Sequence, residues 1–193
     1  MPHKFEPEAR ARLTSEDRRK RLPPEAILRE IGLKAGDTFV DIGAGTGFFA
    51  LPAARMVGPT GRVFGLDTSP GMVEDLARAA AEEGLTNVEA VLSAETEARL
   101  PANAAFYVLV NVFHELEDRA AYLDRIRESM GVRSRLVIID YHKKKTEHGP
   151  PLADRVDAAE ARALCEAHGL SVLKVWEANE EEYGLIAGPA PRP

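Results

Sequence analysis

One cysteine, Cys165, stands in 193 residues. A lone thiol excludes an internal disulfide and a cysteine-built zinc cluster, and it suits a reducing compartment. Positive charge is also short: 25 Lys and Arg against 31 Asp and Glu leave a net charge of −6. That balance exerts no general pull toward nucleic acid or an anionic membrane. No apolar run is long enough to span a bilayer, and "MPHKFEPEAR" is too charged to read as a secretory signal. The expected location is the cytoplasm, with no membrane partner. Internal repeats and low-complexity tracts are absent too, so the chain reads as one globular domain that can bury roughly 70% of its unfolded surface.

What is present is alternation. Apolar periodicity places strands at 38–42, 62–67, 88–92, 106–112, 135–140, 170–177 and 182–188. Helices fall between them, over about 47–57, 70–83, 118–130 and 157–168. The first five strands are nearly continuous apolar runs, as expected where helices cover both faces of a parallel sheet. Strands joined by crossover helices indicate a doubly wound α/β sheet. The last two strands are separated only by "ANEE", too short for a crossover, so they should form an antiparallel hairpin. Residues 1–34 read as a helical extension, with helix starts at Ser15 and after Pro23 and Pro24. The remainder, 35–193, reads as the main domain. "KKKTEHGPPLADR" (143–155) lacks apolar periodicity and reads as a surface loop shaped by His148 and its prolines.

In "FVDIGAGTGFFAL" (39–51), three glycines occupy five positions just where the first strand stops. Strand, glycine-rich turn and helix together form an arrangement in which backbone approaches a nucleotide-like ligand. Gly43, Gly45 and Gly47 give G-x-G-x-G, and Phe48 stands where a dinucleotide fingerprint needs its last glycine. The turn therefore suits a ligand smaller than a pyrophosphate. Asp67 follows twenty residues after Gly47, at the end of the second strand, where a carboxylate can accept bonds from both hydroxyls of a ribose. Taken alone Asp67 also suits a helix cap or turn former ahead of "TSPGM", but loop and acid at this interval, on successive strand ends, are hard to explain as two unrelated turns.

With these motifs the chain resembles the class I S-adenosylmethionine-dependent methyltransferases. Within them it is most similar to the small-molecule, methyltransferase-11-type branch of ubiquinone and menaquinone biosynthesis. The resemblance runs from about Asp37 onward and rests on "VDIGAGTG", "VFGLDTSPGMV", "VLVNVFHEL" and "RLVIIDY". It implies a seven-stranded Rossmann-like sheet, mostly parallel with an antiparallel last strand, behind the N-terminal extension. It also implies S-adenosylmethionine as cofactor, S-adenosylhomocysteine as product, and no metal. By matched position, Asp41, Gly43, Gly45 and Gly47 would surround the methionine part of the cofactor. Asp67 would hold the ribose, Thr68 and Met72 would lie beside the adenosine, and Asn111 would face the methionine moiety or the methyl. Met72 reads equally as a core residue of its helix. Where the family has Gly-Asp-Ala after strand three, this chain has "LSAETEA", which leaves Ser93, Ala94 and Glu95 for the adenine. The acid that commonly opens strand four is missing from "NAAFYVLVNV".

Methyl transfer from a sulfonium needs chiefly a nucleophile held in line, about 3–3.5 Å from the methyl, with water excluded. A base helps where the acceptor is a hydroxyl or a protonated amine. The ends of strands four and five offer His114, Glu115, Asp140, Tyr141 and His142, and His114 is the best-placed base because imidazole titrates near neutrality. It also suits a packing role under the turn. Tyr141 and His142 are candidates to line an acceptor pocket, with Phe5 and Leu13 packing over it from the N-terminal arm. The expected reaction is transfer to a small molecule. RNA or protein acceptors and a non-catalytic cofactor-binding module are the alternatives, and the glycine spacing argues against an NAD-linked oxidoreductase.

Overall fold

The computed structural model describes residues 15–95 and 100–191. The chain divides into two compact units, Met1–Arg99 and Leu100–Pro193.

In the first unit, helix α1 (Glu16–Arg21) starts at Ser15, whose hydroxyl accepts the Arg18 N–H at 3.2 Å. Acidic Glu16 and Asp17 precede a basic run, the order that the helix dipole favours. Helix α2 (Pro24–Glu30) opens on a proline, which costs nothing where the N–H has no helical partner. Both starts lie at the positions expected from Ser15 and the proline pair. Next come β1 (Thr38–Ile42), α3 (Ala50–Val57), β2 (Arg62–Asp67), α4 (Pro70–Glu82) and β3 (Val88–Leu92). The strands are parallel in the order β3-β2-β1, with Asp41 beside Gly65 and Asp67 beside Leu92. Phe39, Val40, Val57, Val63, Leu66 and Leu76 form the core, each contributing about 1.5–3 kcal/mol by leaving water.

Two details depart from the periodicity. Helix α3 begins at Ala50 instead of near Gly47, because positive φ at Gly43, Gly45 and Gly47 (72°, 53° and 95°) keeps that stretch out of the right-handed helix. Strand β3 has no fully buried residue, and Leu92 is exposed, since this strand lies at the edge of the sheet. Its apolar run belongs to a half-covered strand.

The second unit contains β4 (Phe106–Val110), a 3₁₀ turn (Phe113–Glu115), α5 (Arg119–Ser129), β5 (Arg135–Tyr141), α6 (Ala158–Ala167), β6 (Leu170–Glu177) and β7 (Glu182–Pro189). Strands β4 and β5 are parallel and buried along almost their whole length. Strand β4 ends at Val110, two residues before the expected limit, because Asn111 takes the left-handed conformation (φ 59°). The hairpin forms as expected, but its second strand is inserted: β7 runs antiparallel between β5 and β6. Helix α6 carries a capping box of Asp157 and Glu160. Cys165 on that helix is wholly buried, and burial pushes its thiol up to about 12, which makes it a core residue. The seven strands run in the order β3-β2-β1 in the first unit and β4-β5-β7-β6 in the second, parallel but for the antiparallel β7. Among the described residues no helix is long and apolar enough to cross a membrane.

The third glycine of the turn has a steric reason of its own. A Cβ on Gly47 would sit 2.6 Å from Leu76 Cδ1 and 2.9 Å from Leu51 Cγ, so helices α3 and α4 close only over a bare backbone. Gly32 has a similar φ of 87° with nothing within 4 Å. In urea unfolding, Gly47→Ala should cost about 2–4 kcal/mol, combining strain and overpacking. Gly32→Ala should cost only about 1–2 kcal/mol. Equal losses would show that Leu76 and Leu51 do not press on the turn.

Candidate functional site

In the first unit the strand ends are sewn together by one carboxylate. Gly43 and Ala44 donate their N–H groups to the Leu66 carbonyl at 2.8 and 2.9 Å. Asp67 Oδ2 then accepts the Gly45 N–H at 2.9 Å, while Oδ1 accepts the Ser69 N–H at 2.9 Å. The Asp67 carbonyl accepts the Ser93 N–H from beyond β3, also at 2.9 Å. Asp67 is therefore a turn former and a clasp on the glycine turn at once. Two of its roughly four lone-pair directions remain for a ligand. Thr68 and Ala94 are exposed, and Ser93 and Glu95 are half-buried. Met72 is buried in α4, as its core reading expected.

Asp41 sits at the end of β1 with little contact to solvent. Burial pushes its carboxyl up to about 7, and the nearby Asp67 charge adds to this. The Ala50 N–H and the Arg18 charge pull the other way. Asp41 Oδ2 is buried without a hydrogen-bond partner, and so is Thr46 Oγ1 in the turn that follows. Two orphaned polar atoms, one at the end of β1 and one in the turn after it, call for an explanation. The Arg18 guanidinium lies 4.3 Å from the centre of the Phe48 ring, which brings α1 against the glycine turn. Arg18 carries no signal in the sequence that marks it for this turn, whereas Thr46 stands inside "VDIGAGTG". Arg18 is one of four consecutive basic residues, and no pattern shows which of them turns inward.

The second unit gathers polar groups at the ends of β4, β5 and the start of β7. Asn111 donates from Nδ2 to Glu182 Oε1 at 2.6 Å, and its Oδ1 is buried without a partner. Glu182 is wholly buried and accepts the Asn179 amide on its other oxygen at 2.6 Å. His114 lies in the 3₁₀ turn with Nδ1 2.8 Å from Oδ1 of Asp140, itself fully buried. The same carboxylate accepts the His114 N–H at 3.0 Å and the Tyr141 N–H at 2.7 Å. Burial works against a charged imidazole, but the Asp140 bond and the charges of Asp140 and Glu115 outweigh it, so His114 titrates above its ordinary range. Arg119, bonded to the carbonyls of Phe113 and His114, opposes that rise. Tyr183, paired with Asp140 across the ladder, is buried with an unpartnered hydroxyl.

Tyr141 and His142 are less free than their positions suggested. Tyr141 is buried with the Arg155 guanidinium 5.1 Å from its ring centre. His142 Nε2 lies 2.7 Å from Glu177 Oε2, an ion-pair distance without hydrogen-bond alignment. Arg155 also organises the loop at 143–155. It donates to the carbonyls of His142, Lys144, His148 and Pro150 and to the Thr146 hydroxyl, all at 2.7–3.0 Å. Glu181 closes the loop by accepting the N–H groups of Glu147 and His148 and pairing with His148 Nδ1. Burial alone would raise the Glu181 carboxyl, but these bonds hold it below its ordinary range. Phe5 and Leu13 lie outside the described residues.

Comparison with known proteins identifies the family. A family described as a methyltransferase domain matches residues 33–183. This chain is a class I S-adenosylmethionine-dependent methyltransferase. A crystal structure of a SAM-dependent methyltransferase from Aquifex aeolicus superposes with a TM-score of 0.90 at 32% identity, covering 95% of this chain and 98% of that one. The 2-phytyl-1,4-naphtoquinone methyltransferase of Trichormus variabilis is 30% identical over 161 residues, 74% of this chain and 69% of its own. Aklanonic acid methyltransferase DauC from Streptomyces is 45% identical over 62 residues, 32% of this chain and 28% of its length. The match to DauC thus spans just over a quarter of that relative. S-adenosylmethionine is the cofactor of the methyltransferase family to which the chain belongs.

The Asp41 carboxyl makes the stability of this methyltransferase fall with rising pH. An unfolded aspartate titrates near 3.8 and the folded one near 7, so between these values the folded chain holds a proton that the unfolded chain releases. Raising pH through that window therefore removes stability. His114, with its raised folded value, contributes stability that is complete below about 6.5 and lost as pH passes above it. Asp41→Asn cannot titrate and should flatten the decline between pH 5 and pH 8 by up to about 3 kcal/mol, at about 1.4 kcal/mol per pH unit below the folded value near 7. Thermal melts of both proteins across that range measure it. A parallel decline in the two would mean that Asp41 is ionised in the folded state throughout.

Proposed function

We propose that this methyltransferase transfers the methyl group of S-adenosylmethionine to a small-molecule acceptor. The carrying observation is the first unit's turn. It combines a carboxylate with unused lone pairs, glycines without side chains, and the unpartnered Asp41 Oδ2 and Thr46 Oγ1. Asp67 accepts from the ribose hydroxyls on the faces that its backbone bonds leave open. Gly43 and Gly45 let the methionine portion lie against the main chain, and Gly47 lets the helices close behind it. Asp41 Oδ2 meets the cofactor's ammonium, a donor it otherwise lacks. Thr68 flanks the adenosine, with Ser93, Ala94 and Glu95 near the adenine, while Met72 shapes the site from the core. When bound, the cofactor supplies the activated methyl. The protein orients the acceptor and excludes water.

The small-molecule reading is supported by the naphtoquinone methyltransferase, whose alignment extends over most of this chain. In the second unit Asn111 is assigned to the cofactor's methionine moiety or methyl, and Tyr141 and His142 to an acceptor pocket, at the ends of β4 and β5. The left-handed Asn111 supports this, since strain of that kind persists where neighbours over-determine a residue and gathers at functional sites. Residues 35–193 are assigned as the methyltransferase domain and 1–34 as its extension.

Calorimetry with S-adenosylhomocysteine tests the cofactor assignment. Asp67→Ala should weaken binding by about 1.5–3 kcal/mol, roughly 10- to 150-fold, the scale for losing charged hydrogen bonds. A thermal melt separates this loss from loosening of the glycine turn. An unchanged dissociation constant would place the ribose elsewhere.

A further inference from the structure

We propose that Asp41 exchanges a proton for the cofactor's ammonium, so that loading the cofactor expels one proton to solvent and weakens as the solution is acidified. The proposal deepens the cofactor placement given above and rests on it. Every group it uses belongs to the first unit.

The surroundings of the carboxyl favour its neutral form. Asp41 is the fourth residue of β1 and only 3% exposed, so water does little to stabilise a charge there. The Ala50 N–H supports the ionised form, but Oδ2 has no hydrogen-bond partner. Two charged side chains bear on the group from the elements packed around it. Asp67 at the end of β2 opposes ionisation, and Arg18 from α1 favours it. The Arg18 guanidinium stands over Phe48, 4.3 Å from the ring centre, and makes no bond to Oδ2. An ionised carboxylate with an orphaned oxygen in so dry a place is costly. The group avoids that cost by keeping its proton up to about pH 7.

An α-ammonium supplies what these surroundings omit, a positive charge together with N–H donors. Once it bonds Oδ2, the charged form of Asp41 has a partner shielded from bulk water and becomes the favoured one. The carboxyl O–H bond then breaks, its electron pair stays on oxygen, and the proton passes to solvent. The ammonium keeps all of its own protons. A neutral carboxyl and a cation thus become an ion pair and one hydrated proton. Below the folded value each loading event must expel that proton, so affinity falls about tenfold for each pH unit lost. Above it the carboxylate is already ionised and affinity is level. Methyl donor and demethylated product carry the same ammonium, so acidification weakens both alike. It lowers occupancy of the site without altering the competition between them. 5′-Methylthioadenosine retains the adenine and ribose but has no ammonium, and the exchange does not extend to it.

The test is calorimetry with S-adenosylhomocysteine at about pH 5.5 and about pH 7.5, each in two buffers of different ionisation enthalpy, which counts the protons moved. With a folded value of about 7, the dissociation constant should fall about 25-fold from the lower pH to the upper. About one proton should leave per ligand bound at the lower pH, and about a quarter of one at the upper. Asp41→Asn should bind with no proton released and with the same affinity at both. Because that variant can fail to fold, 5′-methylthioadenosine on the wild-type protein gives a second comparison, expected to show no release and a level affinity. It keeps the ribose, so a proton moved by Asp67 would appear with it as well. Binding of S-adenosylhomocysteine without proton release would overturn the exchange. So would equal release with 5′-methylthioadenosine, or release that persists in a folded Asp41→Asn protein. Absence of S-adenosylhomocysteine binding at either pH would instead remove the cofactor reading, and the exchange with it.

Discussion

The bond from the Gly45 N–H to the Asp67 carboxylate is the constraint on which the first unit's functional end depends. It joins the turn after β1 to the end of β2, while the other oxygen of the same carboxylate caps the Ser69 turn that leads into α4. The glycine turn has positive φ at three positions and would be loose by itself. Bonded at Gly43, Ala44 and Gly45 it becomes a preformed surface, so a ligand need not pay the ordering entropy of the turn when it binds. The same carboxylate can serve structure and ligand because its two backbone bonds leave lone pairs unused.

The two units handle buried acid differently. In the second, Asp140 and Glu182 are wholly enclosed, and each has hydrogen-bond donors on both oxygens. Such carboxylates orient their neighbours, here an imidazole and an amide. In the first, Asp41 is buried with one oxygen unpartnered, and burial lifts its carboxyl to about 7. A group in that condition stores unfavourable free energy that a cationic ligand relieves.

The loop after β5 follows a third pattern. Its order comes from a buried guanidinium that satisfies backbone carbonyls, as a helix or sheet would satisfy them through N–H groups. Arg suits this because its five donors lie in a rigid planar fork. The loop is thereby held with lysines on its outside: Lys143, Lys144 and Lys145 are exposed.

The elements legible in the amino-acid sequence are those whose signal is local. Strand positions, the hairpin forced by "ANEE", the starts at Ser15 and Pro24, the glycine turn and Asp67 all follow from spacing along a few adjacent residues. Strand β3 misled because an apolar run reports strand character and not the number of covering neighbours; its edge position is a property of strand order. The His114–Asp140 bond joins residues 26 apart and the Asn111–Glu182 bond residues 71 apart, so each exists only through the β4–β5 and β5–β7 registers. His114 could be nominated by its chemistry, whereas its tautomer required Asp140 to be in place. By itself, then, the chain determined its elements, its turn chemistry and its family. Which side chains share a proton, a charge or a cage was decided by tertiary structure, because hydrogen bonds depend on distance in space and periodicity measures distance along the chain.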